Sequence, residues 1–472
     1  MQTITISGTY TDLYEITMGE ACFLERRHLT PVCFDYFFRK NPFQGGYVLF
    51  AGLHDLLSML EDIRFTDEDL AFLGTLHFHP RYLDFLKSFR FRGTIHAAPE
   101  GDVVFAGSPV VRVEGTQFEA QWVETLLLNV LNFESLVATK ASRMRQAAGN
   151  RILSDFGLRR AQGPGGLLAA RAAVVGGFNS TSNVSAAGYF GLQAAGTMAH
   201  SFVESYDSEL EAFRAFARSR PDQCIFLVDT YHTLASGVPN AITVAREMEA
   251  RGQRAAGIRL DSGDLAWLSR AARQMLDEAG LSYMQIAASN QLDEYVIRSL
   301  LDQGAPIDLF GVGTKLVTGH PDGALDGVYK LSMAGGKPRL KISETLQKIT
   351  LPGIKQVFRT LDEKGRFYGA DVVVLEGEGP VARMVHPLER EQALAIGHLR
   401  QDPLLHQVME NGVRTAPGPD PAGIASFARG RLALLPDEYK RFENPHRYKV
   451  GLSEPLADLR DELVSRHKAY RS

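Results

Sequence analysis

The sequence predicts an α/β protein whose central part is a barrel of parallel βα units. From about Arg151 to about Gly311, short apolar runs end in small or polar residues, and each run is followed by a stretch with helical spacing. Strand alternating with helix is typical of parallel βα units. About seven such units favour a barrel over an open doubly wound sheet, which usually has about six strands or fewer.

The periodicity of apolar residues predicts the individual elements of this central part. The predicted strands are Arg151–Asp155, Val175–Phe178, Leu192–Gly196, Ile225–Asp229, Ala256–Leu260, Met284–Ala288 and Ile307–Gly311. The predicted helices between them are Gly166–Val175, Ser201–Ala217, Ala241–Arg251, Leu265–Ala279 and Leu292–Gln303.

The residues before the central part mix helical and extended signals. Thr11 and Asp12 precede a run with helical spacing, so we expect an N-cap followed by a helix. Pro31–Phe38 is rich in aromatic residues and predicts a strand. Gly93–Glu114 alternates over short stretches broken by Pro and Gly, which predicts a meander of short strands, and Trp122–Val137 has helical spacing.

After about Val328 the extended signal returns. Turns at Ala334–Lys337 and Asp362–Gly365 suit β-hairpins. From about Pro417 the chain is rich in Pro and Gly and then takes helical spacing. We therefore expect antiparallel strands followed by a helical tail.

The composition excludes several classes of partner. The 51 basic and 55 acidic residues give a formal net charge of -4, so neither a nucleic acid nor a membrane is expected as the main partner. The three cysteines form no CxxC pair and no zinc spacing, which favours a reducing compartment. The first residues show no signal peptide, and no apolar run approaches the roughly 20 residues of a membrane helix. We expect a soluble, cytoplasmic protein.

The unusual residues of the central part lie at the ends of its predicted strands. In a parallel barrel the carboxyl ends of the strands converge on one face and build the active site. Several polar, Gly-rich strand ends in one barrel are a stronger signal than any one of them. They read SDFGLRRAQG, GGFNSTSN, AGTMAH, RLDSGD, ASN and GVGT.

Two of these strand ends suit anionic ligands. GVGT, at residues 311–314, leaves backbone N–H groups uncovered, which suits a phosphate, although a glycine turn after a strand is also ordinary. In RLDSGD, Arg259 can bind a carboxylate or phosphate, and Asp261 and Asp264 can bind ribose hydroxyls or Mg²⁺. The ordinary alternative is that Asp264 caps the following helix. Arg159 and its neighbour form a cationic pair near Phe156, which suits a flat anionic ring, but surface Arg pairs are common.

His200 ends the AGTMAH segment just before a predicted helix. An imidazole there can act as a base, a nucleophile or a ligand, while a lone His is more often structural. The chain has no Walker A lysine motif and no Rossmann GxGxxG, so any ATP must bind in another way. It also has no HExxH and no GxSxG, which leaves zincin and serine-hydrolase functions without support.

Seven motifs in order resemble those of nicotinate phosphoribosyltransferases. The resemblance runs from about Thr11 to about Gly353, roughly three quarters of the chain. The motifs are TDLYEITM (11–18), FFRKNPF (37–43), SDFGLRRAQGPGG (154–166), GGFNSTSNV (176–184), GTMAHSFV (196–203), GIRLDSGDL (257–265) and GVGTKLVT (311–318).

The resemblance implies the type II phosphoribosyltransferase architecture: an irregular, TIM-like α/β barrel with a second α/β sandwich domain built from both chain ends. We then expect an N-terminal α/β domain with a β meander over residues 1–135 and a barrel carrying the active site over residues 136–327. Residues 328–472 should return to the N-terminal domain and end in a helical tail.

The resemblance also implies the reaction and its partners. Nicotinate and phosphoribosyl pyrophosphate would give nicotinate mononucleotide and pyrophosphate, with Mg²⁺, in NAD salvage. ATP hydrolysis would be coupled through a phosphohistidine, and the matching residue is His200. The family pattern implies homodimers whose active sites are shared between subunits.

The site residues that the resemblance implies fall into three groups. Nicotinate would stack between Phe156 and Tyr14 of the partner subunit. Its carboxylate would bind cations or hydrogen-bond donors among the residues that line the ring site. Asp261 would contact the ribose. The ring-site positions are Arg159, Ser182, Thr197 and Arg259; the phosphate positions are Gly313 and Thr314 for the 5-phosphate, with Arg39, Lys330 and Lys341 for pyrophosphate or ATP.

Three alternatives stay open. Nicotinamide phosphoribosyltransferase shares the fold but uses an acidic side chain where this chain has Ser182 and Asn183. Quinolinate phosphoribosyltransferase would want more basic residues. A non-catalytic nucleotide-sensing protein on the same scaffold is the third, and the presence of His200, Arg259 and Asp261 argues against it.

Overall fold

The computed structural model describes residues 6–342 and 349–469. The chain divides into two compact units, which do not follow each other in sequence. Unit 1 comprises Met1–Thr139 and Ala324–Ser472, and unit 2 comprises Lys140–Gly323. Both chain ends therefore build the same unit, as the predicted fold class requires.

Helices occur throughout the described part of the chain. Short 3-10 helices lie at Pro42–Gln44, Leu158–Arg160 and Pro221–Gln223, and one π-helical turn at Thr233–Gly237. The α-helices are α1 Leu13–Leu24, α2 Leu53–Asp62, α3 Asp67–Thr75, α4 Pro80–Lys87, α5 Gln117–Trp122, α6 Glu124–Ala148, α7 Gly165–Val175, α8 Val184–Phe190, α9 His200–Glu204, α10 Glu209–Ser219, α11 Val238–Glu249, α12 Leu265–Glu278, α13 Glu294–Asp302, α14 Thr314–Val317, α15 Pro421–Leu434, α16 Asp437–Lys440 and α17 Glu454–Ala469.

The strands are short in unit 2 and longer in parts of unit 1. They are β1 Pro31–Phe38, β2 Val48–Leu49, β3 Thr94–Ala97, β4 Val103–Val104, β5 Val111–Thr116, β6 Ile152–Asp155, β7 Ser180–Thr181, β8 Ile225–Leu227, β9 Gly257–Leu260, β10 Gln285–Ser289, β11 Leu309–Val312, β12 Gly327–Ala334, β13 Lys337–Pro338, β14 Lys355–Leu361, β15 Phe367–Leu375, β16 Arg383–Val385, β17 Ala393–Ala395, β18 Arg400–Pro403, β19 His406–Glu410, β20 Val413–Arg414 and β21 Lys449–Leu452.

Unit 2 is built on one parallel sheet, in the order β7-β6-β11-β10-β9-β8. Its inner strands are almost continuously buried, as expected for a parallel sheet with both faces covered. The last strand, β11, pairs back with the first, β6, which is the connection that a barrel needs. Among the described residues no pairing joins β7 to β8, so the α/β class is confirmed but closure of the barrel is not.

Three predicted elements of unit 2 are wrong. Val175–Phe178 was expected to be a strand, but α7 runs to Val175 and the strand is β7, two residues long. Leu192–Gly196 contributes only one bridge, from Ala194 to Thr181. The helix expected over Ser201–Ala217 is split into α9 and α10, because the Ser208 side chain accepts a hydrogen bond from Glu211 N and caps a new helix.

Unit 1 contains two large sheets. One has the order β13-β12-β1-β5-β3-β19-β20, and the other the order β17-β16-β21-β15-β14-β18. The predicted strand Pro31–Phe38 is confirmed with the same bounds, and the two predicted hairpins join β12 to β13 and β14 to β15. The predicted helix after Asp12 is confirmed, but Asp12 makes no capping bond: its carboxylate accepts from Thr125 Oγ1 at 2.9 Å.

The C-terminal region contains strands that the sequence pattern did not reveal. Strands β16 to β21 were not predicted, and each is five residues or shorter. In the described part of the chain, no helix combines the length and the apolar character that crossing a bilayer requires.

Candidate active site

The loops that follow the parallel strands of unit 2 carry most of the predicted site residues. Phe156 follows β6, Ser182 follows β7 and Gly313 follows β11, while Arg259 lies within β9. Because parallel strands end at the same edge of a sheet, these loops share one edge. The contacts between their side chains show how far the predicted site comes together.

Phe156 lies against Gly311, within β11, and Gly313, which follows that strand. Its backbone N donates to Val312 O at 2.8 Å. A Cβ atom placed on Gly311 would lie 2.3 Å from Cε2 of the Phe156 ring, and one on Gly313 would lie 3.1 Å from the Phe156 carbonyl oxygen. Gly311 therefore makes room for the aromatic ring, a role that the sequence analysis did not assign to it.

Arg259 is a partly buried cation with an unused donor. Its guanidinium lies 6.0 Å from the centroid of the Phe156 ring, and its Nε is buried without a hydrogen-bond partner. Burial lowers the pKa of Arg259, and the carboxylates of Asp261 and Asp229 only partly oppose that effect, while Arg159 adds to it. A buried donor without a partner needs an explanation, and an anionic ligand would supply one.

His200 is held by a carboxylate that the sequence analysis missed. Its Nε2 lies 3.3 Å from Asp229 Oδ1, and the Asp229 side chain is only 1% exposed. The second oxygen of Asp229 accepts from Asp261 N at 2.9 Å and from Ser262 Oγ at 2.6 Å. Asp229 follows β8, and a carboxylate at a strand end was the signal that could have identified it.

Asp261 is oriented by Ser289, the last residue of β10. Ser289 Oγ donates a short hydrogen bond to Asp261 Oδ1, and Ser289 is buried. The neighbouring Asp264 has the capping role given as its ordinary alternative, because its Oδ1 accepts from Ala266 N at 3.1 Å and Trp267 N at 3.0 Å. Of the two acids in RLDSGD, only Asp261 does not cap a helix, so its carboxylate is the one that a ligand could use.

The remaining predicted residues of unit 2 are less constrained. Arg159 and Thr314 are exposed. Ser182 donates its backbone N–H to Asp155 O at 2.8 Å, and Thr197 Oγ1 donates to Met198 O at 3.3 Å. No described contact joins these four side chains to His200 or Asp261.

Four predicted residues belong to unit 1. Tyr14 is 45% exposed, and burial of its hydroxyl, followed by the charge of Glu124, raises its pKa to about 12. Arg39 has a buried Nε without a partner. Lys330 Nζ donates to Tyr329 O at 2.7 Å and lies 3.5 Å from Glu124 Oε1. Lys341 is exposed, next to the residues outside the description.

Family models match three successive parts of the chain. Residues 9–132 match the N-terminal domain of nicotinate phosphoribosyltransferase, residues 152–360 match the nicotinate phosphoribosyltransferase family, and residues 354–460 match the C-terminal domain. A nicotinate phosphoribosyltransferase of Bacillus subtilis is 41% identical over 94% of this chain and 92% of the relative. The chain belongs to the nicotinate phosphoribosyltransferase family.

Other members of the nicotinate phosphoribosyltransferase family agree over similar lengths. The enzyme of that name from Dictyostelium discoideum is 37% identical over 97% of this chain and 88% of its own length. The crystal structure of human nicotinic acid phosphoribosyltransferase superimposes with a TM-score of 0.87 at 32% identity, covering 96% of this chain and 99% of the human one. The predicted family and the α/β fold class are thereby confirmed.

Membership of the nicotinate phosphoribosyltransferase family does not test the predicted role of any residue. The same holds for Mg²⁺ and ATP, which stay predictions. Within residues 6–342 and 349–469, no group of three or more His, Cys, Asp and Glu side chains is arranged to hold a metal ion. Mg²⁺ usually binds through one or two carboxylates together with substrate phosphates, so a site of that kind needs no such group.

Proposed function

We propose that this chain transfers the phosphoribosyl group of phosphoribosyl pyrophosphate to nicotinate. In this reaction the ring nitrogen of nicotinate forms a bond with C1 of the ribose, the bond from C1 to pyrophosphate breaks, and pyrophosphate leaves. The observation that carries the proposal is the unpartnered, buried Nε of Arg259 above the Phe156 ring. The family's relatives supply the reaction class.

Nicotinate suits the surroundings of Phe156. A flat pyridine ring can stack on the phenyl face, and a carboxylate can accept from the guanidinium of Arg259. Arg159 lies close enough to Arg259 to affect its pKa, so a second cation is available to the same anion. We place Ser182 and Thr197 at the rim of this ring site, as the family pattern implies.

The transfer itself needs positioning and charge neutralisation more than covalent chemistry. The ribose C1 develops positive charge as pyrophosphate leaves, so the gain comes from holding the two reactants in line. Asp261, oriented by Ser289, can accept from ribose hydroxyls. Gly313 and Thr314 are proposed to hold the 5-phosphate, and Arg39, Lys330 and Lys341 are proposed as pyrophosphate or ATP contacts.

The pair of His200 and Asp229 supports the proposed coupling to ATP. A carboxylate only accepts, so in the neutral imidazole the bond to Asp229 would put the proton on Nε2 and leave the lone pair of Nδ1 free. In the coupled step, Nδ1 would form a bond with the γ-phosphorus of ATP while the bond to ADP breaks. Water would later release the phosphate. Mg²⁺, when bound with the phosphates, would mask their charge.

The exposed face of α1 supports the proposal of a homodimer. Leu13, Tyr14 and Met18 are each more than 40% exposed on one helix, which is unusual for apolar side chains of this size. Covering this face with a second copy would let Tyr14 reach the partner's nicotinate. Analytical ultracentrifugation tests the idea, and a monomer at the concentration used for the activity assay would contradict it.

A single assay tests the proposed reaction and the nicotinamide alternative. Nicotinate mononucleotide should form from nicotinate and phosphoribosyl pyrophosphate, faster with ATP, and nicotinamide should be used far less well. Ser182 offers no carboxylate to accept an amide N–H, which is why we favour the acid. Equal kcat/KM values for the two substrates would overturn that preference. Nucleotide binding without any product would favour the sensing protein.

The product places the proposed enzyme in NAD salvage. A cytoplasmic location is part of the same proposal. Fractionation of cells that produce the protein would test it, and recovery with membranes would contradict it.

Removing the imidazole tests the proposed phosphohistidine. Incubation with ATP labelled in its γ-phosphate and Mg²⁺ should give an acid-labile, base-stable phosphoprotein. His200→Ala should abolish the label and the ATPase activity, while slow ATP-independent transfer persists through Asp261 and Phe156. A label that persists in this variant would place the phosphate on another residue, and His232 is the next candidate.

A further inference from the structure

Lys315 directly follows the turn proposed to hold the 5-phosphate. In Gly-rich phosphate loops, the lysine after the glycines commonly reaches the phosphates. Here its Nζ lies 2.5 Å from Asp293 Oδ2 instead. The Lys315 side chain is 23% exposed and that of Asp293 is 10% exposed, so solvent only partly screens the pair.

Asp293 has two structural connections at once. Its Oδ1 accepts from Tyr295 N at 3.0 Å and from Val296 N at 2.8 Å, which caps α13. Its Oδ2 receives the ammonium of Lys315. Burial by itself would raise the pKa of Asp293, but the bonds from Lys315 and Val296 N outweigh it and lower that pKa. The carboxylate is therefore committed to these contacts.

The first turn of α13 is anchored behind Asp293. Glu294 Oε2 lies 2.6 Å from Lys140 Nζ, and its Oε1 accepts from Arg143 Nε at 2.8 Å. All three of these side chains are buried. The start of α13 is thus a fixed point in unit 2, and Lys315 ties the phosphate turn to it.

The segment before Asp293 leads back to the proposed ribose site. It begins at Ser289, which holds Asp261. Between Ser289 and Asp293, Asn290 and Gln291 both have left-handed backbones, with φ of 82° and 52°. Such conformations are uncommon in non-glycine residues and persist only where the surroundings hold them. Asp293 follows two residues after Gln291 and is held by its helix cap and by Lys315.

We propose that Lys315 and Asp293 form a positioning pair, which sets the spacing between the phosphate turn Gly313–Thr314 and the ribose-binding Asp261. Lys315 then supports the turn and does not bind the phosphate itself. This inference rests on the proposed function, because it names the substrate groups that the pair would align. It also implies that the effects of mutating Asp293 and Lys315 are coupled.

A double-mutant cycle separates positioning from direct phosphate binding. The variants are Lys315→Met, Asp293→Asn and their combination, with Asn retaining the helix cap. Calorimetry gives the dissociation constant of phosphoribosyl pyrophosphate for each. A positioning pair predicts that each single change weakens binding about tenfold, and that the double change is no worse than either. The KM for nicotinate should stay unchanged.

Direct binding of the phosphate by Lys315 predicts a different pattern. Lys315→Met would again weaken binding, but Asp293→Asn would leave it unchanged or tighten it, since the ammonium is freed. That result would overturn the proposal. If Lys315→Met does not fold, the dissociation constant of Asp293→Asn by itself distinguishes positioning from direct binding. Lys315→Arg should restore most of the affinity under the positioning role.

Two controls make the outcome interpretable. Arg214→Met removes another ion pair of unit 2, from Arg214 to Glu247 at 2.6 Å, and should leave the dissociation constant unchanged. Wild-type turnover reports separately on the proposed function. Binding of phosphoribosyl pyrophosphate without turnover would overturn the proposed reaction alone, while a wild type that does not bind it would overturn both proposals.

Discussion

Two arginines, the buried Arg359 of unit 1 and the partly buried Arg259 of unit 2, use their charge differently. In unit 1, Arg359 donates to Asp102 Oδ1 at 2.8 Å and to both oxygens of Asp371, at 3.2 and 3.0 Å. Its guanidinium also lies 4.4 Å from the centroid of the Phe367 ring. In unit 2, Arg259 has a buried Nε with no partner.

The pKa values of the two arginines shift in opposite directions, because the balance between burial and neighbouring carboxylates differs at the two sites. Burial lowers both, but the carboxylates of Asp371 and Asp102 outweigh it and raise the pKa of Arg359. At Arg259 the carboxylates of Asp261 and Asp229 do not compensate, and the pKa is lowered. A buried cation with its donors satisfied holds a fold together, whereas one with a spare donor is set up for a ligand.

The largest effect is expected from breaking the satisfied arginine. Arg359→Met leaves Asp102 and Asp371 with fewer partners in a buried site, so the free energy of unfolding should fall by about 3–5 kcal/mol. Chemical denaturation measures it. Arg400→Met, which removes the exposed pair with Asp402, is the matched control and should leave stability nearly unchanged. Equal effects of the two variants would contradict the comparison.

Arg259→Met should produce the opposite result. The variant loses the proposed charge contact to nicotinate, so kcat/KM for nicotinate should fall roughly 30- to 1,000-fold. This factor corresponds to about 2–4 kcal/mol of lost transition-state stabilisation. The thermal midpoint should stay within a few degrees of the wild type, because no satisfied bond to Nε is lost. A large drop in the midpoint with intact kcat/KM would make Arg259 a structural residue like Arg359.

Glu15, a buried acid of unit 1, supplies a third and smaller test of how burial shifts the pKa of a charged group. It is 1% exposed, and burial, with the added charge of Glu124, raises its pKa from 4.5 to about 7. Between these pH values the folded chain holds a proton that the unfolded chain has lost. The free energy of unfolding therefore falls as pH rises through this window.

Glu15→Gln should remove this dependence on pH. The variant should be more stable than the wild type at pH 8 by about 1–3 kcal/mol, with a smaller difference at pH 5. Denaturation at the two pH values measures it. The same change in stability between pH 5 and pH 8 in both proteins would mean that Glu15 is paired in the folded state after all.

The sequence by itself determined the elements whose signals are local. Pro31–Phe38 is a strand with the predicted bounds because its aromatic and β-branched residues favour a pleated backbone wherever it pairs. The strands ending near Asp155, Asp229 and Leu260 were predicted within two residues, since buried parallel strands are short apolar runs closed by polar residues. Two of the seven family motifs, at residues 154–166 and 257–265, lie at such strand ends.

Short apolar runs that are not closed by polar residues could not be assigned to a helix or a strand from the sequence. Val174 and Val175 favour a strand by composition, yet they complete α7, a helix buried on nearly every side. Periodicity does not separate a buried helix from a buried strand over so few residues. The strands β16 to β21 were missed for a related reason, because most of them are too short to show alternation.

Only the tertiary structure decided which polar residues act together. In the sequence, Asp229 was only the end of a predicted strand and Lys315 was only part of the GVGTKLVT motif. The fold brings Asp229 to His200 and Asp293 to Lys315. These partners are 29 and 22 residues apart in the chain. Local propensity carries no information on such distant pairs, because the carboxyl ends of parallel strands meet only after the sheet has assembled.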